Sequence, residues 1–533
     1  MRNKKYPYYS VPEPNDLKDL LNFCASSYKD KTAFWYKKKG KETHKSFIDV
    51  RDDVNALGTY FDTLNLNNAH IAILGENSYE WIISYFAIVN GGNVVVPIDK
   101  ELDAETIDGL LKKADVSLLI HSDSYSEEAE KCDVKTLNMK DFAEHLSVGK
   151  AQIENGNTNY LTREIDREKM CAIVFTSGTT AEPKGVMLNH RSLIRDAIDT
   201  MKNIDVPSSS VLLLPLFHTY GFMSNVILPM LVGYSVYVIS SLKRVFNDIK
   251  YVQPRHLSVV PMLISAIYNS IWDNAKKSGK EKQLKAAIKF SNTLLKIGID
   301  IRRKLFKEIY DFFGGNLEML ISGGSAIDEK YIKGFRDFGI KLTNGYGITE
   351  CSPIVATMRN KHYAPGSVGC VHPGTQCRIV DGEIELKGEM LFIGYYKDET
   401  ATKEAFDGDW FKTGDLGHID NDGLLYITGR KKNLIILSNG KNVAPEELEA
   451  KISDFPEVKE VLVYGENDRI VAEIFTDVPD AESTINEEIA ALNRQLPPFK
   501  QIAVTRFRNS EFPKTTTKKI KRKYAEEEKC LKN

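Results

Sequence analysis

Apolar residues along the chain fall into short runs punctuated by turn residues, and an early stretch holds a whole supersecondary unit. His70-Ile71-Ala72-Ile73-Leu74 predicts a strand ending at Gly75. Asn77 or Ser78 can cap a helix from Tyr79 to about Val89, and Gly91-Gly92 stop it. Val94-Val95-Val96-Pro97 opens another strand, Thr106 to Ala114 has helical character, and Ser117 to Ile120 is extended. Strand alternating with helix implies a parallel sheet with helices on its faces. The polar stretch from Ser122 to Glu168 predicts surface structure and a linker, and a second α/β stretch runs from Cys171 to about Ile354.

From Val206 to Leu242 there is no Lys, Arg, Asp or Glu, a run long enough to cross a bilayer. Pro215, His218, Gly221, Pro229 and Gly233 interrupt it, so the expectation is strand, loop, helix and strand buried in a globular domain. A basic helical insertion, Ala275 to Tyr310, carries Leu294, Leu295, Ile297, Ile301, Leu305, Phe306 and Ile309 at mostly helical spacing. It predicts a core-facing amphipathic helix rather than one lying on a membrane. Short β runs with Gly turns fill Gly366 to Thr428. After Arg430 a small α+β unit follows, in which Pro445 starts a helix ahead of Glu446, Glu447 and Glu449.

The length of 533 residues suggests three or four structural units. A hydrophobic share of 42% can fill large cores, so a multidomain α/β enzyme is the default. Lys plus Arg number 71 against 73 Asp plus Glu, and a net charge of −2 argues against holding a polyanion by bulk electrostatics. The seven cysteines contain no C-x-x-C pair, which disfavours zinc ligation and a disulfide framework and fits a reducing cytosol. Prolines and acids follow the basic Met1 to Pro7, so no secretory signal is expected, and a cytoplasmic location is.

The strongest chemical signal is Phe175-Thr176-Ser177-Gly178-Thr179-Thr180-Ala181-Glu182-Pro183-Lys184-Gly185, directly after the apolar strand Cys171 to Phe175. Small hydroxyl residues and glycine in a tight loop, with a lysine behind, can wrap N–H groups and a cation around phosphates. It is not a Walker loop, because Pro183 precedes Lys184 and Gly185 follows it. Asp420-Asn421-Asp422-Gly423 fits a hairpin turn better than a calcium loop.

The phosphate-loop segment resembles that of the acyl-adenylate-forming superfamily, which includes acyl-CoA synthetases, peptide-synthetase adenylation domains and firefly-type luciferases. The chain departs from the pattern at Ala181, where Gly is usual. Further segments match in order: Ser322-Gly323-Gly324-Ser325, Asn344-Gly345-Tyr346-Gly347-Ile348-Thr349-Glu350, Thr413-Gly414-Asp415, Gly429-Arg430-Lys431-Lys432, and Pro513 to Arg522. The resemblance implies that Thr176, Ser177, Gly178, Thr179, Thr180 and Lys184 cradle phosphates. It places Gly323, Gly324, Ser325, Asn344, Gly345, Tyr346 and Gly347 around adenine and Thr349 on the α-phosphate. Glu350 and Thr179 would hold Mg²⁺, and Asp415 and Arg430 the ribose. Lys432 falls at the hinge, Gly440, Lys441 and Asn442 at the pantetheine channel, and Lys519 at the catalytic lysine, with Lys518 in place of the usual Gly. His218, Tyr220 and Gly221 would border the acyl site.

The implied fold is a large N-terminal domain, residues 1–430, of parallel-sheet α/β subdomains plus a β-rich subdomain, followed by a small mobile α+β lid, residues 431–533. The implied activity is an ATP- and Mg²⁺-dependent acid-thiol ligase that forms acyl-AMP and transfers the acyl group to CoA. The insertion resembles that of bacterial long-chain fatty acyl-CoA ligases. No acid stands between Phe217 and Val226 to meet a substrate ammonium, which favours a neutral acyl chain. Alternatives are transfer to acyl-carrier protein, an aryl or amino acid substrate, and a weakly active regulatory relative. No nucleic acid partner and at most peripheral membrane contact are expected.

Overall fold

A computed structural model describes residues 7–38, 40–176, 183–239, 241–361, 364–438, 440–514 and 520–522. They form two compact units, one from residues up to 176, 184–376 and 387–404, the other from Pro183, 377–386 and 405 onward. The mixed α/β class predicted from the pattern is the class observed.

In the large unit the Ser78 side chain accepts a hydrogen bond from Trp81 N and starts the helix Tyr79–Val89. Every residue of that helix except Glu80 is buried, as expected of a helix that is apolar all round. It serves a seven-stranded sheet with the order Gly394–Tyr395, Lys184–Asn189, Met170–Thr176, Val94–Ile98, His70–Leu74, Val116–His121, Lys135–Asn138. The last five strands run parallel, Lys184–Asn189 pairs antiparallel with Met170–Thr176, and Gly394–Tyr395 pairs antiparallel with Lys184–Asn189. A second sheet has three parallel strands, His256–Val259, Met319–Ser322 and Lys341–Gly347, followed by the antiparallel Ile354–Thr357 and Gly369–Val371. Ligand sites of open α/β sheets lie at the carboxyl ends of such parallel strands.

The uncharged stretch is buried as predicted. It forms the strand Ser210–Leu212, short helical turns from Thr219 to Leu231, and the strand Val236–Val238. Among the described residues no helix is long and apolar enough to cross a membrane.

Two expectations need correction. Residues 122–168 are not a linker: Lys135–Asn138 is an edge strand of the seven-stranded sheet, and Phe142–Glu154 is a helix. That helix packs so closely that a Cβ on Gly149 would come within 1.9 Å of the Ala56 carbonyl oxygen. The polar surface of the segment hid its scattered buried apolar residues, Ala129, Leu137, Met139, Phe142 and Tyr160 among them. The basic insertion, in turn, is not one core-facing helix. It divides into Pro261–Lys277, Glu281–Lys296, Arg302–Leu305 and Lys307–Phe312. Phe306 and Tyr310 are buried, while Leu295, Ile297 and Leu305 stand exposed. Gly298 at φ +83° breaks the helical phase inside the insertion.

The small unit contains an antiparallel hairpin, Trp410–Ile419 with Leu424–Arg430, closed by the turn expected at Asp420 to Gly423. Asp420 Oδ1 accepts from the Asp422 and Leu424 amides there. Beyond it, Glu460–Glu466 pairs antiparallel with Arg469–Phe475, which pairs parallel with Ile502–Arg508. The helices Pro445–Ile452 and Glu482–Asn493 fill one core with these strands through Leu448, Ile452, Ile485 and Ile489. Pro445 sits in the first turn of its helix, as predicted.

Candidate active site

In the large unit three predicted groups converge. The strands flanking the phosphate loop bring Thr176 opposite Lys184, and Thr176 Oγ1 donates weakly to the Lys184 carbonyl at 3.5 Å. Lys184 Nζ sits 4.7 Å from the centre of the Tyr395 ring. The Tyr395 hydroxyl donates to Glu350 Oε1 at 2.9 Å, and the Phe392 amide donates to the Glu350 carbonyl at 2.8 Å. Glu350 follows Thr349 in a short 3₁₀ turn, and both are half-buried. Burial and the neighbouring Glu350 carboxylate push the Tyr395 phenol well up, so it stays a donor. One tyrosine therefore links the lysine of the loop to the carboxylate predicted to hold a metal.

The parallel strands supply the second part. Ser322 and Asn344 lie side by side in register, followed by Gly323-Gly324-Ser325 and by Gly345-Tyr346-Gly347. Both side chains are buried, and neither Ser322 Oγ nor Asn344 Oδ1 has a hydrogen-bond partner among the described residues. Orphaned buried polar atoms at strand ends suit the polar edge of a ligand. A Cβ on Gly347 would meet the Pro353 carbonyl oxygen at 1.8 Å, and one on Gly323 would meet the Tyr220 ring at 2.5 Å. The second contact joins the predicted adenine turn to the predicted acyl residue. Gly221 is equally constrained, since a Cβ there would come within 2.0 Å of the Pro215 carbonyl oxygen. His218 is half-buried and precedes the turn Thr219–Phe222, its carbonyl accepting from the Phe222 amide at 3.0 Å. Phe217 and Thr219, on either side of it, line an apolar cleft with Tyr85, Val174, Leu193 and Phe222.

In the small unit Asp415, 3% exposed, pairs with Arg430 across the hairpin at 2.7 Å. Thr413, Gly414, Arg430, Lys431 and Lys432 line a cleft beside it. Buried Glu383 organises that edge: it accepts from the Gly414 amide at 3.0 Å and from Lys431 at 2.6 Å. This contact raises the Lys431 ammonium above the ordinary lysine range. Lys432 occupies the turn Lys431–Asn433. Gly440, at φ +75°, precedes the strand Asn442–Val443, and Lys441 Nζ lies 5.8 Å from the Phe499 ring centre.

Ser177, Gly178, Thr179, Thr180 and Lys519 lie outside the described residues, as do Ala181 and Lys518. The flanks of the terminal motif are firmly held. Lys514 pairs with Glu460 and Glu511, Lys514 bridges to Ile520, and Arg522 pairs with Glu449.

Sequence reasoning missed Tyr395 and Glu383. Tyr395 reaches its place only because Gly394–Tyr395 pairs with residues 186 and 187, more than 200 positions earlier. Glu383 stood in a recognised β run, but nothing local marked its carboxylate as buried.

The chain matches the AMP-binding enzyme family over residues 22–396 and the AMP-binding enzyme C-terminal domain over residues 432–528. It is 28% identical over 457 residues to the long-chain-fatty-acid–CoA ligase FadD15 of Mycobacterium tuberculosis, covering 77% of this chain and 73% of that one. Long chain acyl-CoA synthetase 2 of Arabidopsis thaliana is 27% identical over 514 residues, 86% of this chain and 77% of its own. Among solved structures, the anthranilate CoA ligase AuaEII bound to anthranoyl-AMP superposes with a TM-score of 0.78 at 21% identity, covering 99% of both chains. O-succinylbenzoate CoA synthetase of Bacillus subtilis with ATP and magnesium gives 0.74 at 20%, covering 96% of this chain and 98% of that one. These two likenesses concern the fold.

Proposed function

The chain belongs to the AMP-binding enzymes, and from that membership we propose that it is an ATP-dependent ligase joining a fatty acid to CoA through an acyl-AMP intermediate. The observation that carries this reading is the convergence of Lys184, at the start of the strand Lys184–Asn189, with Tyr395 and Glu350. The long-chain ligases among its relatives support the fatty acid as substrate.

The chemistry balances without a protein nucleophile. A carboxylate oxygen of the acid attacks the α-phosphorus of ATP, the bond to the bridging oxygen breaks, and pyrophosphate leaves. The thiol of CoA then attacks the acyl carbonyl, AMP departs with the bonding electrons, and the thiol proton passes to solvent. The protein's task is to gather negative charge that would otherwise repel. Lys184 would lie along the phosphates, steadied by the Tyr395 ring. Thr349 would contact the α-phosphate, and Asn344 with the adjoining glycines would take the adenine edge. Asp415 and Arg430 would hold the ribose, their mutual contact fixing the carboxylate's orientation.

A hard cation such as magnesium wants one or two carboxylate oxygens and phosphate oxygens, and the donor set here fits. Glu350 presents an oxygen ligand, and its second oxygen, Oε1, is already oriented by Tyr395. When bound, magnesium offsets the charge of the departing pyrophosphate. Glu350 would hold it, with Thr179 as the other predicted ligand.

His218, Tyr220 and Gly221 would border the acid's carboxylate, and Gly440, Lys441 and Asn442 the pantetheine arm. The lid would be residues 431–533, pivoting at Lys432, with Lys519 as its catalytic lysine. A cytoplasmic setting accords with cysteines that carry no disulfide spacing. The direct test is pyrophosphate release across acids from C8 to C18, benzoates and amino acids, with CoA and acyl-carrier protein supplied separately. Fatty acids with CoA should give the fastest turnover. Benzoates or amino acids outcompeting every fatty acid would overturn the substrate assignment.

A further inference from the structure

Residues 276–307 carry eleven Lys or Arg against two acids, Glu281 and Asp300, a net +9 in a chain whose total is −2. The helix Glu281–Lys296 turns this charge outward, since Ser291 is its one fully buried residue. At 100° per residue, Lys282, Lys289 and Lys296 form one stripe and Ala286, Phe290, Thr293 and Ile297 the stripe beside it. Phe290 is 57% exposed and Ile297 71%, and Leu295, Ile299 and Leu305 are exposed nearby. Lys289 and Lys296 form no ion pair among the described residues, and Lys282 feels only the adjacent Glu281, whose carboxylate bonds Lys285 instead. Single exposed apolar residues need no explanation, but five of them interleaved with unpaired lysines do.

We propose that this face docks on an anionic phospholipid bilayer. The exposed Phe and Ile supply apolar side chains to the boundary between headgroups and acyl chains, and the neighbouring lysines meet the anionic headgroups. Charge selects this occupant over two others. A second copy would set +9 against +9. An acidic protein is disfavoured because protein interfaces are depleted of lysine, and nine of the eleven basic residues are lysines. The binding stands apart from the ligase reading, because it can be measured with no substrate present.

Sedimentation of the full chain with vesicles tests it. Phosphatidylcholine vesicles containing phosphatidylglycerol should pellet the protein at low salt and release it as salt rises, and phosphatidylcholine alone should not pellet it. Lys282→Gln/Lys289→Gln/Lys296→Gln should weaken partition on the order of 100-fold, at about fivefold per charge. Phe290→Ser/Ile297→Ser should weaken it at least about tenfold. Both variants should keep wild-type melting temperature and circular dichroism, these side chains being exposed. Absence of pelleting, equal pelleting by both lipids, or wild-type binding by either variant would overturn the proposal. So would a dimer, seen by analytical ultracentrifugation, that these substitutions dissociate.

Discussion

Tyr395 concentrates the residue-scale physics of the site, because its ring and its hydroxyl serve different partners. The ring carries Lys184, and the hydroxyl orients Glu350. Tyr395→Phe keeps the first contact and deletes the second. A hydrogen bond to a charged group is worth about 1.5–3 kcal/mol, so adenylation should slow roughly 10- to 100-fold. The magnesium concentration giving half-maximal pyrophosphate release should rise, and calorimetric binding of ATP in magnesium should weaken, while the melting temperature stays near wild type. Tyr395→Leu should do more, since it removes the support of Lys184 as well. If Phe matches wild type in its magnesium requirement, or Leu is no worse than Phe, the two contacts do not have these roles. Sequence showed Lys184 and Glu350 because each sits in a local pattern with chemical meaning. Tyr395 could not be found that way, its significance arising from strand pairing between residues 186 and 395.

Elements were legible where burial left a simple period. The strand His70–Leu74, the helix Tyr79–Val89 and the strand Val94–Ile98 came out at or near their predicted bounds. The helix Phe142–Glu154 did not, because only Phe142 and Gly149 along it are buried. Nor could the sequence show the buried titratable groups that stitch elements together. His190 Nδ1 accepts from the Leu17 amide, His256 contacts the Pro207 carbonyl at 2.6 Å, and His372 reaches both Thr200 and Thr357. Burial lowers these three imidazoles to about 4, about 4 and about 3. Asp196 accepts from the Ile354 amide, four residues past Glu350, and burial pushes its carboxyl well up. The two kinds of group act in opposite senses. Below about pH 6.5 the unfolded histidines take protons that the folded ones refuse, so stability falls as pH drops toward their folded values. Asp196 holds its proton more tightly in the fold than in the unfolded chain, so its contribution improves as pH drops. Urea midpoints at pH 7.5 and 5.5 separate them. Asp196→Asn should lose more stability on acidification than wild type. His256→Gln should lose less, by about 1.4 kcal/mol for the single pH unit spent below the histidine's unfolded value. Parallel profiles for all three proteins would show that neither group titrates on unfolding in this window.

At the scale of the whole molecule the question is which parts must move, and compactness alone does not answer it. The small unit gathers residues 405–430 with the C-terminal strands and helices, whereas the proposed pivot is Lys432, in the turn Lys431–Asn433. A pivot must absorb a large backbone rotation between two half-reactions, and proline fixes one of the two soft dihedrals. Lys432→Pro should therefore leave acyl-AMP formation working while thioester formation falls sharply. Equal loss of both would point to misfolding or to another pivot. Lys519 gives the complementary experiment. The motif around it is anchored at both ends, by Lys514 with Glu460 and by Arg522 with Glu449, so the backbone leading to the lysine should survive its substitution. In the adenylating arrangement its ammonium would bridge the incoming carboxylate and the α-phosphate, where negative charge crowds and a charge-assisted contact is worth most. Losing one such preorganised donor costs about 10²- to 10³-fold, or roughly 3–4 kcal/mol of transition-state stabilisation. Once the lid has rotated, the lysine should be remote from the acyl carbonyl and the thiol should attack without it. Lys519→Ala should cripple ATP-dependent adenylation yet convert supplied acyl-AMP and CoA to acyl-CoA at near wild-type rate, and Lys518→Ala should have far less effect on adenylation. A larger adenylation defect in Lys518→Ala would move the catalytic lysine by one position. Equal failure of both half-reactions in Lys519→Ala would mean that the two steps share one arrangement of the lid.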